Sequence, residues 1–283
     1  MTFDAAAYKA TTKKQWDDAA EAWHRWGPTL EDWLGESTES MLDAAGVGVG
    51  SHVLDVAGGA GGQAMSAARR TGPQGRITVT DISPTILTYA ERAADENGLR
   101  HIITSAVDGE EIGRTWSQEF DAAISRLGLI YLPDRATALQ GIRSSLREGA
   151  RFAAIVYSTA DRNAFFAEPV ALIRRRAALA PPLPGQPGPF SLGDPAVARD
   201  TFLDAGFTDV QVETLTAPLL LPSAADCVRF ERESFGALHQ MLSGLDEDER
   251  EQVWEDIGEG LRAYETDEGF VGPCELHVIS GSR

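Results

Sequence analysis

Between His52 and Tyr157 short apolar runs of β type alternate with segments whose apolar positions recur every three or four residues. That alternation is the pattern of βαβ units closing a mostly parallel sheet. The strand candidates are HVLDVA from His52, RITVTD from Arg76, HIITSA from His101, FDAAIS from Phe120 and RFAAIVYS from Arg151. TDVQVETL from Thr208 and ELHVIS from Glu275 bring the sheet to seven strands. Ser83 with Pro84 behind it suits an N-cap and first helical position, and Gly98 suits a helix stop. Pro133-Asp134 opens a helix expected to end near Gly149. The expected fold is therefore α/β, a Rossmann-like seven-stranded sheet with helices on both faces.

Outside this core three segments carry helical periodicity and predict a cap: Thr12 to about Ala45, with a short helix after Pro28, Asp161 to about Ala180, and Ser223 to about Tyr264. PPLPGQPGPF, from Pro181 to Phe190, predicts a loop. The division expected is an N-terminal helical cap at 1–45, a core at 46–158, a helical insertion and Pro/Gly loop at 159–193, a core helix and strand at 194–215, a second helical cap insertion at 216–272 and a last core strand at 273–283.

Composition narrows the function. With 25 basic and 43 acidic side chains among 283 residues the formal charge is -18, a field that repels phosphate backbones and anionic lipid surfaces. Nucleic acid is not an expected partner; a small molecule is. The opening MTFDAAAYKATTKKQW lacks the apolar stretch of a secretory signal, and no run approaches the ~18 apolar residues of a membrane span. The expected location is cytoplasmic. Cys227 and Cys274 have no metal-ligand spacing, and no carboxylate or histidine cluster calls for a metal; they read as buried free thiols.

The stretch that carries chemistry is VLDVAGGAGG, Val53 to Gly62, a Gly-rich turn between a buried strand and a helix, where a backbone without side chains admits a ligand closely. Asp81 ends the next strand, where an acid can accept hydrogen bonds from both ribose hydroxyls. Gly59-Ala60-Gly61-Gly62-Gln63-Ala64 also fits the dinucleotide fingerprint, which keeps an NAD-dependent oxidoreductase as a rival. Asp55, just before the glycines, is placed to reach the amino group of a methionine moiety.

Together with TDISPTILTYA from Thr80, VDGEEI from Val107, FDAAISRLGLIYLPD from Phe120, REGARFAAIVYS from Arg147, GPFSLGDP and FLDAGFTDVQVE, this turn resembles the class I S-adenosylmethionine (SAM)-dependent methyltransferases, in the style of the ubiquinone/menaquinone-biosynthesis C-methyltransferases. The resemblance implies SAM as cofactor and S-adenosyl-L-homocysteine as product. It implies that Asp55, Ala57, Gly58, Gly59 and Gly61 wrap the methionine part, that Asp81 holds the ribose and Ile82 packs on the adenine, and that Asp108, after Val107, accepts from the adenine amine. Ser125 and Arg126 would line the floor beneath the sulfonium. Ala57 departs from the usual first glycine of the motif. Asp also caps turns and helices, and Arg126 equally suits an internal ion pair.

Methyl transfer from a sulfonium needs chiefly a close, collinear approach and exclusion of water. On the acceptor side Trp16, Ala19, Ala20, Trp23 and Trp26 share a helical face, with Trp33 beyond Pro28. Such a stripe serves as core or as the wall of an apolar pocket. Trp16, Trp23, Tyr131, Tyr157 and Phe230 are the substrate-wall candidates, with Tyr8 near the mouth, and His24 and His239 are the candidate bases. The amphipathic stretch from Cys227 to Leu242 either roofs the substrate or joins two subunits in a homo-oligomer. The expected activity is O-, N- or C-methylation of a hydrophobic or aromatic small molecule, of quinone or secondary-metabolite type. A SAM-binding protein that catalyses a cyclisation or rearrangement, or a SAM-binding regulator without turnover, remains the alternative.

Overall fold

The computed structural model describes residues 3–182 and 186–283. Leu183, Pro184 and Gly185 of the anticipated Pro/Gly loop lie outside the described residues, and the rest of that stretch is without helix or strand.

The strands are β1 (His52–Val56), β2 (Arg76–Asp81), β3 (Ile102–Ala106), β4 (Phe120–Arg126), β5 (Leu146–Tyr157), β6 (Thr208–Thr216), β7 (Leu219–Leu221), β8 (Glu265–Thr266), β9 (Gly269–Gly272) and β10 (Glu275–Ser282). The helices are α1 (Ala5–Arg25), α2 (Gly27–Ala44), α3 (Gly62–Thr71), α4 (Pro84–Glu96), α5 (Ile112–Thr115), α6 (Arg135–Ser145), α7 (Ala164–Arg176), α8 (Pro195–Asp204), α9 (Ala224–Ser234), α10 (Gly236–Met241) and α11 (Glu247–Leu261), with short 3-10 turns between some of them.

Seven strands form one sheet in the order β3-β2-β1-β4-β5-β10-β6. β1 to β5 pair in parallel, while β10 runs antiparallel to both β5 and β6. Val53, Leu54, Ile77, Val79, Ala122, Ala123 and Ile124 are fully buried, the continuous burial expected of a parallel sheet covered on both faces. Because β2 and β4 flank β1, the connections leave β1 and β4 on opposite sides and open a crevice at their carboxyl ends. Both anticipated thiols are free and buried.

Four expectations are corrected. The first cap segment begins at Ala5, capped by the Asp4 carboxylate, and breaks at Trp26. Pro28 sits in the first turn of α2, which lacks an N–H there at no cost, and α2 runs 18 residues rather than forming a short helix. The helix opened by Asp134 stops at Ser145, not near Gly149. The chain is already extended at Leu146, paired with Phe120, and the register slips before Ala122, with Gly149 at φ +76° absorbing the irregularity. The third cap segment divides into α9, α10 and α11, the last opened by a capping box between Asp246 and Glu249. A second sheet, β7-β9-β8, was not anticipated, because strands of two to four residues are too short to show a period.

Candidate functional site

A cleft of about 580 Å³ opens at the carboxyl ends of β1, β2 and β4 and runs beneath α1. Its floor is the turn after β1. Gly59 and Gly61 take φ of +57° and +86°, and Ala57 takes +54°, a conformation that costs an alanine about 1 kcal/mol or more. The Ala57 methyl is accommodated locally: a Cβ on Gly128 would lie 2.4 Å from it, so the space at this crossing belongs to Ala57. Leu127, at the end of β4, is likewise left-handed at +59° and lines the same cleft. Strained non-glycine backbone at two adjoining strand ends is the kind of feature that collects at binding sites.

Gly58 is required by contact rather than by torsion. A Cβ there would stand 2.5 Å from Val79 Cγ1 and 2.7 Å from Asp55 Oδ2. Asp55 is fully buried behind the turn, its Oδ1 accepting from Gln63 Nε2 at 3.1 Å and its Oδ2 without a hydrogen-bond partner. Burial pushes its carboxyl up to about 7, against the Gln63 hydrogen bond and the Arg126 charge. Asp81 accepts from the Gly59 and Ser83 amides at 3.1 and 2.9 Å and faces the cleft. Burial holds it up at about 6 despite those amides. Arg126 reaches the cleft from the end of β4, donates to Thr38 Oγ1 at 3.0 Å, and is brought down to about 10 by burial while Asp55 and Glu31 pull the other way.

Ala57, Gly58, Gly59, Asp81, Ile82, Val107, Asp108 and Arg126 all line this cleft. Asp55 and Gly61 stand one layer behind it; Gly61 packs against Ala90 and Met65. Ser125 is corrected: its side chain is fully buried and does not line the cleft, and its Oγ has no partner among the described residues. Asp108 is at the cleft with both oxygens engaged, Oδ2 by Lys9 of α1 at 2.8 Å and Oδ1 by the Glu110 amide at 3.0 Å. Lys9 also pairs with Glu110, and Asp17 of α1 accepts from the Ser83 hydroxyl at 2.5 Å, so α1 is tied across the site at two points.

The far wall is aromatic. Tyr131, Trp16, Trp23 and Phe235 run ring to ring with centroids 5.5 to 6.0 Å apart, and Tyr157 joins them at the cleft. Trp23 is fixed by donating to the Ser234 carbonyl at 3.1 Å. Burial raises the Tyr131 and Tyr157 hydroxyls, so both face the cleft as donors rather than as bases. The tryptophan stripe divides: Trp26 packs on Phe230, and Trp33 is core, donating to the Ala217 carbonyl at 2.8 Å.

Two further expectations fail. Phe230 does not line the cleft; it is fully buried against Trp26, Trp33 and Phe235. His239 is exposed away from the cleft, its Nε2 2.6 Å from the Arg232 carbonyl and its ring against Trp254. His24 does line the cleft, on its α4 side against Tyr89. Tyr8 is not among the lining residues. Gln63, Thr38, Gly128 and Phe235 were not singled out as site residues. Gln63 had a signal, being in the first turn of the helix that follows the glycines; Thr38 had none, because its role depends on α2 packing against the end of β4. Among the described residues no group of three potential metal ligands exists and no helix is long and apolar enough to cross a membrane.

Comparison with known proteins matches residues 53–149 to a family described as a methyltransferase domain. The aklanonic acid methyltransferase DauC of Streptomyces sp. (strain C5) is 29% identical over 148 residues, 52% of this chain and 66% of that protein. The ubiquinone/menaquinone biosynthesis C-methyltransferase UbiE of Nitrobacter hamburgensis is 33% identical over 109 residues, 38% of this chain and 43% of that protein. The chain thus spans from under half to just under two thirds of these relatives. Haemonchus contortus phosphoethanolamine N-methyltransferase 2, solved in complex with S-adenosyl-L-methionine, superposes with a TM-score of 0.53 at 16% identity, over 88% of this chain and 52% of that one.

Proposed function

We propose that this chain, whose core belongs to the class I SAM-dependent methyltransferases, methylates a hydrophobic or aromatic small molecule held under its helical cap. The observation that carries the reading is the continuity of one cleft, which joins the Gly58–Asp81 turn to the aromatic wall of Trp16, Trp23, Tyr131, Tyr157 and Phe235. The cofactor side fits SAM on its own chemistry. Asp55 Oδ2 is a buried acceptor without a partner, matching an ammonium or a water bound to one, and Asp81 keeps spare lone pairs for ribose hydroxyls. Arg126 would pair with the methionine carboxylate, and Ile82 and Val107 would sandwich the adenine.

When bound, SAM supplies a methyl group on a positively charged sulfur. The chain's own contribution is orientation: the rings of Trp16, Trp23 and Phe235 hold a flat acceptor, α1 excludes water, and Tyr131 and Tyr157 donate hydrogen bonds. Of the two histidines considered as bases, only His24 is at the cleft. The cap, at 1–45, 159–193 and 216–272, is the acceptor-binding part in this reading, around the SAM-binding core. Incubation with methyl-labelled SAM and a panel of hydrophobic phenols, amines and quinones tests it by mass spectrometry. Transfer of the label to one acceptor supports the reading. A product formed while SAM stays intact would favour a cyclisation or rearrangement instead.

The two raised carboxylates predict opposite pH trends for folding stability and for ligand binding. Asp55 and Asp81 start from 3.8 in the unfolded chain and stand at about 7 and about 6 when folded. The folded state therefore holds more protons between those values, and the stability these groups contribute is lost as pH rises through about 6 to 7. Ligand binding needs the ionised forms, so it strengthens over the same window. The increase in melting temperature on adding S-adenosylhomocysteine is expected to grow from about pH 5 to about pH 8. A ligand-induced increase that shrinks over that range would contradict the assignment.

A further inference from the structure

Arg126 is a cation at the cleft without an anion of its own. It ends β4, and among the described residues it forms no ion pair; its hydrogen bond goes to a neutral hydroxyl, that of Thr38. Its Nη2 lies over the start of α3, where a Cβ on Gly62 would stand 2.7 Å away, so the glycine keeps open the space that the guanidinium uses. The first turn of a helix presents N–H groups with no partner inside the helix and carries partial positive charge. A guanidinium gains nothing from such a neighbour. Together the two make a place for a negative group.

The guanidinium is held there from the cap. Nη1 donates to Thr38 Oγ1 at 3.0 Å, and Thr38 Oγ1 in turn donates to the Leu34 carbonyl at 2.7 Å, one turn back along α2. A hydroxyl has one proton and two lone pairs. Because the proton is committed to Leu34, Thr38 turns a lone pair toward Arg126. Thr38 is buried, and with Leu34 and Gly35 of α2 it lines the same cleft as Arg126 and Gly62. Threonine is a weak helix former, and a bond back to the carbonyl four residues earlier does not strengthen a helix. The hydroxyl is therefore not explained by the needs of α2; its second contact, Arg126, gives it a use.

We propose that Thr38 is a positioning residue for the cofactor: through its hydroxyl, α2 of the cap fixes the Arg126 guanidinium so that Nη2 meets the carboxylate at the methionine end of the ligand. This rests on the methyltransferase reading and deepens it. Arginine has a long flexible stem, and a fork held at Nη1 before the ligand arrives loses less freedom when Nη2 is engaged. Thr38 itself touches no ligand in this account. Its effect is confined to ligands that carry the carboxylate.

The test is calorimetric titration of the full chain with S-adenosylhomocysteine and with its decarboxylated analogue, which keeps the adenosine, the sulfur and the amino group. The wild-type chain is expected to prefer S-adenosylhomocysteine at least about tenfold, as a charge-assisted contact to the carboxylate requires. Thr38→Val, which keeps the shape and removes the hydroxyl, should weaken S-adenosylhomocysteine about three- to tenfold and leave the decarboxylated analogue within about twofold of wild type. Thr38→Ser restores the hydroxyl and the preference. Thr38→Ala is read in the same way should the Val chain not fold. A loss shared equally by both ligands, as a merely loosened cleft would give, overturns the proposal, and so does no loss in a folded variant. A wild-type chain that binds both ligands equally overturns the Arg126 pairing and the proposal with it. Failure of S-adenosylhomocysteine to bind at all would instead overturn the methyltransferase reading, so the failures are distinct.

Discussion

Gly58→Ala is expected to weaken SAM binding at least about tenfold and to cost about 1 to 3 kcal/mol of stability. The added methyl would stand 2.5 Å from Val79 Cγ1 and 2.7 Å from Asp55 Oδ2, and neither neighbour yields cheaply. Val79 and Asp55 are cross-strand partners on β1 and β2, buried without room to rotate. Gly58 also anchors the turn at both backbone groups, its N–H donating to the Thr80 carbonyl at 2.8 Å and its carbonyl accepting from Gly61 at 3.0 Å. Accommodating the methyl therefore displaces both the floor of the cleft and the carboxylate behind it. Thermal melting and titration with SAM read the two effects separately. Wild-type affinity in a folded Gly58→Ala protein would mean that the turn is not a ligand floor.

Asp81→Ala is expected to reduce SAM affinity by roughly 1.5 to 3 kcal/mol, about ten- to hundredfold, through the loss of charge-assisted hydrogen bonds to the ribose. The same carboxylate accepts from Gly59 and Ser83, so part of the loss is a loosened turn. Asp81→Asn separates the contributions: it keeps one acceptor for the amides, gives up the charge, and should fall between wild type and Ala. The net effect on folding is smaller than on binding, because burial already disfavours the charged form of Asp81. Unchanged affinity in a folded Asp81→Ala protein would remove Asp81 from the ribose.

The sheet was legible because its strands are apolar runs of five or more residues with capped helices between them; Ser83 indeed caps α4, its hydroxyl accepting from the Ile86 amide at 3.0 Å. The floor of the cleft was legible for a similar reason, since Gly58, Gly59 and Asp81 are set by chain turns within two adjoining βα units. What escaped depends on packing between distant segments. Periodicity gave Trp16, Trp23 and Trp26 one face, with Trp33 on the helix beyond Pro28, but only the packing of α1 and α2 decides that Trp16 and Trp23 meet the cleft while Trp26 packs on Phe230 and Trp33 is core. Phe230 and Phe235 are equally apolar in sequence, and their exchange of roles follows from where α9 ends. Ser125 and Arg126 are neighbours on a strand, so their side chains leave opposite faces, and only Arg126 reaches the cleft. Glu231 could not be read as buried at all, lying in a charged run, CVRFERES, that resembles an exposed helix face.

Calorimetric titration of the purified chain with SAM, S-adenosylhomocysteine and NADH tests the central claim most directly, because the glycine turn after β1 is formally open to either kind of ligand. Micromolar binding of both sulfur ligands and none of NADH is the predicted result. Binding of NADH in their place would contradict it and make the Gly58–Asp81 site a dinucleotide site.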